Sequence, residues 1–129
     1  MPYQVKTNSQ GLRMNYDLKF PKLKQRILIL GDSYTFGVFH ANHDTYPALL
    51  GKKMDESEVI NAGVSGYTIT DELSLYKERA KYIESDIIIL QVLDNDIYGL
   101  MAHIMNVCDR NRRVYSPTEI EKKFLQLIR

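Results

Sequence analysis

Three short polar segments of this sequence combine residue types that serve acyl-transfer chemistry. They are Gly31-Asp32-Ser33, the glycine-containing stretch 61–68, and Asp94-Asn95-Asp96. A serine hydroxyl at a strand-to-helix turn can act as a nucleophile, and its own backbone N–H then lies at a helix N-terminus. The backbone N–H of Gly66 and the side-chain amide of Asn95 are two further donors for an oxyanion. The pattern favours Ser33 as a nucleophile facing these donors.

Each segment also has a simpler interpretation when it is taken alone. Gly31-Asp32-Ser33 is compatible with a turn in which Asp32 or Ser33 caps a helix. Gly63 and Gly66 are compatible with ordinary turn positions, and Asp94-Asn95-Asp96 with a cap before a helix that starts at Ile97. All three segments occur in order, and each directly follows an apolar run. Their joint occurrence favours a shared site over three unrelated turns.

The apolar runs predict the strands that position these segments. They cover Arg26–Leu30, Glu58–Gly63 and Asp86–Leu93. Helices are predicted between them, from about Thr45 to Met54 and from a cap at Thr70 or Asp71 to about Tyr82. Alternating strands and helices predict an α/β fold with a parallel sheet and right-handed crossovers. In such sheets ligands bind beyond the carboxyl ends of the strands, where all three polar segments fall.

The two ends of the chain give weaker signals. Residues 1–24 are polar, and a turn at 8–11 predicts a short hairpin, so this segment is interpreted as an N-terminal extension. Residues 25–129 form the predicted α/β domain. A helix is predicted from Ile97 to Val107, and Ser116-Pro117-Thr118-Glu119 has the cap, first-turn proline and acidic third residue of another helix start.

The composition is that of an ordinary globular domain. The chain has 129 residues, 44% of them hydrophobic and 26% charged, with a net charge of +1. This balance predicts no nucleic-acid partner, and Arg110-Asn111-Arg112-Arg113 is interpreted as a solvated loop. Cys108 is the only cysteine, so no intrachain disulfide can form. No metal-binding Cys–His spacing, apolar leader or membrane-length apolar run is present, which predicts a cytoplasmic protein without a metal.

The three polar segments resemble the sequence blocks of the SGNH/GDSL hydrolase superfamily. Gly31-Asp32-Ser33 is similar to the first block, Gly66 within 61–68 to the second, and Asn95-Asp96 to the third. The similarity covers about residues 5–97. It implies a flavodoxin-like three-layer α/β/α sandwich, of which three core strands are visible here, and cleavage of ester or acyl groups, including O-acetyl groups on carbohydrate, without a cofactor.

The resemblance also implies a role for each matching residue. Ser33 would be the nucleophile and, through its backbone N–H, an oxyanion donor. Gly66 would donate its backbone N–H and Asn95 its side-chain amide, while Asp32 and Asp96 would support the site. The third block departs from the usual pattern, because Leu93-Asp94 precedes Asn95 where a glycine two places before the asparagine is more common.

The fourth family block, an Asp-x-x-His that supplies the general base, has no counterpart in these residues. The histidines are His40, His43 and His103, and none has an aspartate three positions before it. Either the chain is a piece of a longer hydrolase or it is a short relative without the dyad. His40 and His43 follow the Ser33 turn and are the candidates for a substitute base. His103 falls about two turns along the following helix, which predicts that it points away from Ser33.

Two other functions stay open from the sequence. The first is a non-catalytic binding or assembly module that retains the fold. The second is a nucleotide-binding domain, which the lack of a glycine-rich phosphate loop after the first strand disfavours. A sheet of three strands with one uncovered edge also predicts marginal stability or a homodimer.

Overall fold

The computed structural model describes residues 3–94, 96, 97 and 101. Met1–Val92 forms one compact unit and Leu93–Arg129 a second. In the second unit Asp94, Asp96, Ile97 and Met101 are helical. The rest of the helix predicted to Val107, together with Asn95, His103, Cys108, the arginine cluster and the helix predicted from Ser116, lies outside the described residues.

The sheet of the first unit has three parallel strands in the order β2-β1-β3. They are β1 (Gln25–Leu30), β2 (Ser57–Asn61) and β3 (Ile87–Leu90). The central strand β1 is buried from Arg26 to Leu30, as expected for an apolar run covered on both faces. Its register pairs Ile29 with Asn61 on one side and with Ile89 on the other. The predicted α/β fold with a parallel sheet is confirmed.

Three α-helices flank the sheet: α1 (Ser33–Phe36), α2 (Tyr46–Lys53) and α3 (Ile69–Glu78). Short 3₁₀ helices cover Asn42–Asp44 and Ala80–Ile83. The helix predicted from about Thr45 is confirmed, and Thr45 is its N-cap. The cap predicted for α3 is wrong, because Thr68 occupies that position. Asp71 accepts both the N–H of Thr68 at 2.9 Å and its hydroxyl at 2.8 Å, which fixes the helix start.

Strands β2 and β3 are shorter than their apolar runs, because polar side chains end them. The Asn61 side chain accepts the N–H of Gly63 at 3.0 Å, which turns the chain away after β2. At the start of β3, the Asp86 carboxylate accepts the N–H of Arg26 at 2.7 Å. All four residues of β3, at one edge of the sheet, are exposed, with 38–45% of their surface accessible.

Residues 3–24 contain no strand, so the predicted hairpin is not formed in the described segment. The Asn8 side chain instead accepts the N–H groups of Gln10 and Leu12 at 3.1 and 2.9 Å. The segment then contributes Leu12, Met14 and Leu18 to the hydrophobic core. Burial of three apolar side chains ties this part of the chain to the sheet. No helix within the described residues is long and apolar enough to cross a membrane.

Candidate functional site at the carboxyl edge of the sheet

The carboxyl ends of all three strands meet at Thr35, which is fully buried in α1. Its backbone carbonyl accepts the side-chain amide of Asn61, the last residue of β2, at 2.9 Å. Its hydroxyl donates to Gln91 Oε1 at 2.9 Å, beyond β3. Since the hydroxyl proton goes to Gln91, the Tyr46 hydroxyl donates to Thr35 at 2.9 Å. These bonds anchor α1 to the ends of both outer strands.

Gly31, directly after β1, has no side chain, and this allows Thr35 and Gln91 to approach its backbone closely. A Cβ there would lie 2.1 Å from Thr35 Oγ1 and 2.8 Å from Gln91 Oε1. Gly63 is equally constrained, since a Cβ would lie 2.4 Å from the backbone nitrogen of Phe36. Two of the glycines in the polar segments therefore allow α1 to pack directly on the strand ends.

Ser33 is the first residue of α1, and Asp32 is its N-cap. The buried Asp32 carboxylate accepts the N–H of Tyr34 at 3.0 Å, as helix caps commonly do. It also accepts the hydroxyl of Ser33 at 3.3 Å. The Asp32 carboxylate therefore caps α1, as the sequence suggested, and also contacts the Ser33 hydroxyl. Ser33 itself is partly exposed, so its oxygen is within reach of a ligand.

The segment after β2 forms a turn against the end of β1. The N–H of Val64 donates to the carbonyl of Gly31 at 3.0 Å, and the N–H of Tyr67 returns to the carbonyl of Val64 at 3.2 Å. Gly66 has a φ of 84° at the third position of this turn, the conformation that favours glycine in a type II turn. A Cβ at Gly66 would meet no atom within 4 Å, so the space beside it is open.

Several backbone N–H groups of this edge have no acceptor within the described part of the chain, and two of them were predicted as oxyanion donors. They belong to Ser33, where α1 begins, and to Gly66, on the turn after β2. The first N–H groups of a helix have no intrahelical partner, which explains the one at Ser33. Groups of this kind are available to a ligand oxygen.

Arg13 supports the loop that follows α1. Its guanidinium donates to the carbonyl of Gly37 at 2.8 Å and also to those of Phe36 and His40. It lies 4.4 Å from the centre of the Phe36 ring. Burial lowers the pKa of the Arg13 guanidinium from its ordinary value. The side chain thus closes the C-terminal end of α1, whose carbonyls lack helical partners.

The two candidates for a substitute base, His40 and His43, lie on the surface. His40 is exposed, and the imidazole of His43 lies 3.3 Å from the Asp44 carboxylate. Neither is hydrogen-bonded to Ser33 among the residues that the structure describes. Asn95 lies outside those residues, and Asp96 accepts the N–H of Leu93 at 2.7 Å. No cluster of three or more potential metal ligands occurs in the described ranges.

Three residues that hold this edge together were not predicted as site residues from the sequence: Thr35, Gln91 and Arg13. Gln91 was predicted to lie inside the strand Asp86–Leu93. Because β3 ends at Leu90, Gln91 is instead the first residue after the strand, where the rule about strand ends applies. Asn61 was included only as part of a glycine-rich stretch, although it too ends a strand. Thr35 and Arg13 gave no such signal, because their partners lie far along the chain.

Burial raises the pKa of the Tyr46 hydroxyl, and the nearby charges of Asp32 and Glu72 raise it further, while the hydrogen bond with Thr35 opposes them. A raised pKa keeps the phenol protonated around neutral pH. Tyr46 therefore remains a donor to Thr35 around neutral pH.

The comparisons with known proteins support a fold but do not identify a family. No family model matches the sequence, and no curated protein matches it. Among solved structures, a mutant of the esterase AlinE4 is similar, with a TM-score of 0.53 and 22% sequence identity. The match covers 75% of this chain and 62% of that one, so the chain spans less than two thirds of the esterase's length. The likeness supports the α/β fold.

Proposed function

We propose that this chain carries the nucleophile and oxyanion donors of an SGNH/GDSL-type serine hydrolase. The observation that carries the proposal is the position of Ser33. It is partly exposed at the start of α1, its hydroxyl donates to Asp32 at 3.3 Å, and its helix is anchored at all three strand ends. A nucleophile needs both exposure and a fixed position, and Ser33 has both.

The roles follow from the donors at this edge. Ser33 Oγ attacks the carbonyl carbon of an ester, and the carbonyl oxygen becomes an oxyanion. The backbone N–H groups of Ser33 and Gly66 stabilise that oxyanion, and the Asn95 amide is the third donor in the proposal. One such donor contributes about 2.7–4 kcal/mol to transition-state stabilisation in a serine hydrolase. Asp32 and Asp96 are the supporting residues in the proposal. Asp32 caps the helix that begins at Ser33, and Asp96 accepts the N–H of Leu93.

The remaining steps need a base and a water molecule. The hydroxyl proton of Ser33 passes to a base as the bond to the carbonyl carbon forms, and the alcohol leaves with a proton. Water then hydrolyses the acyl-enzyme and restores Ser33. His40 and His43 are the candidate bases proposed from the sequence, and neither contacts Ser33 in the described structure. We therefore expect a slow Ser33-dependent turnover, far below that of a serine hydrolase with an intact triad.

The proposed substrates are small esters or O-acetylated carbohydrates. The supporting observations are the resemblance of the three sequence blocks and the fold shared with an esterase.

Hydrolysis of p-nitrophenyl acetate by matched serine variants tests this proposal. Ser33→Ala removes the proposed nucleophile, and we expect it to abolish the enzymatic rate. Ser74→Ala is the control, because that serine is exposed on α3 and its hydroxyl donates only to the Thr70 carbonyl within the described contacts. Equal rates for the wild type and Ser33→Ala would remove Ser33 from the mechanism. They would favour a binding or assembly module that has kept this fold.

A further inference from the structure

The hydroxyl of Ser33 has one hydrogen-bond partner among the residues that the structure describes, the carboxylate of Asp32. Ser33 Oγ lies 3.3 Å from Asp32 Oδ2. A nucleophile and its base are usually about 2.6–3.2 Å apart, and such contacts tighten when a substrate is bound. The oxygen of the proposed nucleophile therefore faces an acceptor for its proton.

The two carboxylate oxygens of Asp32 have different contacts. Oδ1 accepts the N–H of Tyr34 at 3.0 Å and so caps α1, while Oδ2 accepts the Ser33 hydroxyl. Asp32 is buried, with 1% of its surface exposed, so the capping bond holds the carboxylate in a fixed orientation. The same bond that starts the helix thus keeps the second oxygen beside Ser33 Oγ.

The two histidines considered as bases have different surroundings. His40 and His43 are exposed, and the imidazole of His43 lies 3.3 Å from the carboxylate of Asp44. A base must come within hydrogen-bond reach of the proton that it removes. In the described part of the chain the carboxylate of Asp32 comes closest to meeting this condition, and neither imidazole is bonded to Ser33.

We propose that Asp32 is the general base of the reaction at Ser33. The inference rests on the proposed function and supplies the residue that its proton transfer needs. As Ser33 Oγ bonds to the carbonyl carbon, its O–H bond breaks and the proton moves to Asp32 Oδ2, while the carbonyl π electrons form the oxyanion. When the bond from the acyl carbon to the alcohol oxygen breaks, that oxygen takes the proton from Asp32.

Hydrolysis of the acyl-enzyme repeats these transfers with water. Asp32 takes a proton from water as the water oxygen bonds to the acyl carbon. It returns that proton to Ser33 Oγ as the bond between Oγ and the acyl carbon breaks. The carboxylate is regenerated in both halves, so the net reaction converts an ester and water into an acid and an alcohol. A positioned base of this kind contributes about 10²–10⁴-fold to a rate.

Hydrolysis of p-nitrophenyl acetate by Asp32→Asn tests the assignment. Asparagine retains an oxygen for the N–H of Tyr34, but its amide nitrogen cannot accept the Ser33 proton. We expect the Ser33-dependent rate, measured above that of Ser33→Ala, to fall about 100-fold or more. Asp71→Asn is the matched control and should retain the rate, because the exposed Asp71 also accepts one N–H and one hydroxyl at a helix start, both from Thr68.

The outcomes separate the base from the nucleophile. An Asp32→Asn protein with the Ser33-dependent rate of the wild type would overturn Asp32 as the base and leave Ser33 as the nucleophile. A wild type that is no faster than Ser33→Ala would remove the proposed function, and the base with it. Thermal unfolding checks that each variant is folded.

The pH dependence of the wild-type rate is a second test, which needs no Asp32 variant. Tyr46 of α2 and Glu72 of α3 belong to the same group of titratable side chains, because the charges of Asp32 and Glu72 both act on the Tyr46 hydroxyl. With a carboxylate as the base, the Ser33-dependent rate should change less than about twofold between pH 8 and pH 5.5. An imidazole base would lose about tenfold over that range, since it is half protonated near pH 6.5. A loss of that size would overturn the proposal.

Discussion

The side-chain amide of Asn61 donates to the backbone carbonyl of Thr35 at 2.9 Å, so the end of β2 is bonded to the helix that carries Ser33. The same side chain accepts the N–H of Gly63 at 3.0 Å. Asn61 is buried, which makes both bonds expensive to lose. One side chain thus connects the helix that begins at Ser33 with the turn that contains Gly66.

Asn61→Asp should destabilise the fold by about 1–3 kcal/mol, the usual cost of leaving a buried polar group without its partner. The carboxylate keeps an acceptor for Gly63, but an ionised carboxylate has no proton for the Thr35 carbonyl. Urea unfolding at neutral pH measures the change. Gln25→Glu makes the same amide-to-acid change at an exposed residue, where the Ser57 hydroxyl still has an acceptor. Equal free energies of unfolding for the two variants would show that the Asn61–Thr35 bond contributes little.

Gly31→Ala and Gly51→Ala should act in opposite directions. At Gly31 the new methyl would lie 2.1 Å from Thr35 Oγ1, so α1 has to move and Ser33 with it. At Gly51, within α2, the nearest atom is Val59 Cβ at 3.4 Å, close to an ordinary contact. Alanine is favoured over glycine in a helix by about 0.8–1 kcal/mol, so this variant should be as stable as the wild type or more so.

The melting temperatures of the two variants check this prediction. Gly31→Ala should melt lower than the wild type and lose any Ser33-dependent reaction, whereas Gly51→Ala should keep both. A Gly31→Ala protein with an unchanged melting temperature and an unchanged reaction would mean that α1 does not depend on close packing at the end of β1.

The fold was predictable because its signals are local. Apolar runs marked the strands, and polar residues after them marked the carboxyl edge. The Thr35 contacts were not predictable in this way, because its partners Asn61 and Gln91 are distant in sequence and meet only when the sheet is formed. The cap of α3 was predicted wrongly for a local reason. Asp71 was interpreted as a possible cap, although it lies inside the helix and its carboxylate accepts the N–H of Thr68.

The burial of Arg13, in the N-terminal segment, was also not predictable from local sequence. A charged residue in a polar stretch predicts an exposed side chain, since arginine is seldom buried. In the structure it is buried, because the carbonyls after α1 supply acceptors for its guanidinium. The segment interpreted as an extension therefore supports the loop that follows the proposed nucleophile.

Because Asp86 contacts Lys22 as an ionised carboxylate, we predict that the free energy of unfolding falls in acid. The hydrogen bond from Lys22, followed by that from the backbone N–H of Arg26, lowers the pKa of the Asp86 carboxyl. A carboxyl whose pKa is lower in the folded state stabilises the fold above its unfolded pKa of about 3.9. This contribution falls as the pH drops through the lowered folded value.

Unfolding free energies between pH 7 and pH 2.5 test this dependence. Asp86→Asn should be less stable than the wild type at pH 7, and the difference should shrink below pH 4. Asp55→Asn, at an exposed turn, provides the control and should follow the wild-type curve. A gap between Asp86→Asn and the wild type that stays constant down to pH 2.5 would rule out the ionised Asp86 as its source.

Labelling with a fluorophosphonate tests the central claim, that Ser33 is a nucleophile beside oxyanion donors, most directly. The reagent phosphonylates activated serines, and mass spectrometry of the digested protein identifies the modified residue. We predict one adduct, on Ser33, that is absent from the Ser33→Ala variant and retained in Ser74→Ala. A folded wild-type protein that gains no adduct at Ser33, or that is modified equally at exposed serines, would contradict the account.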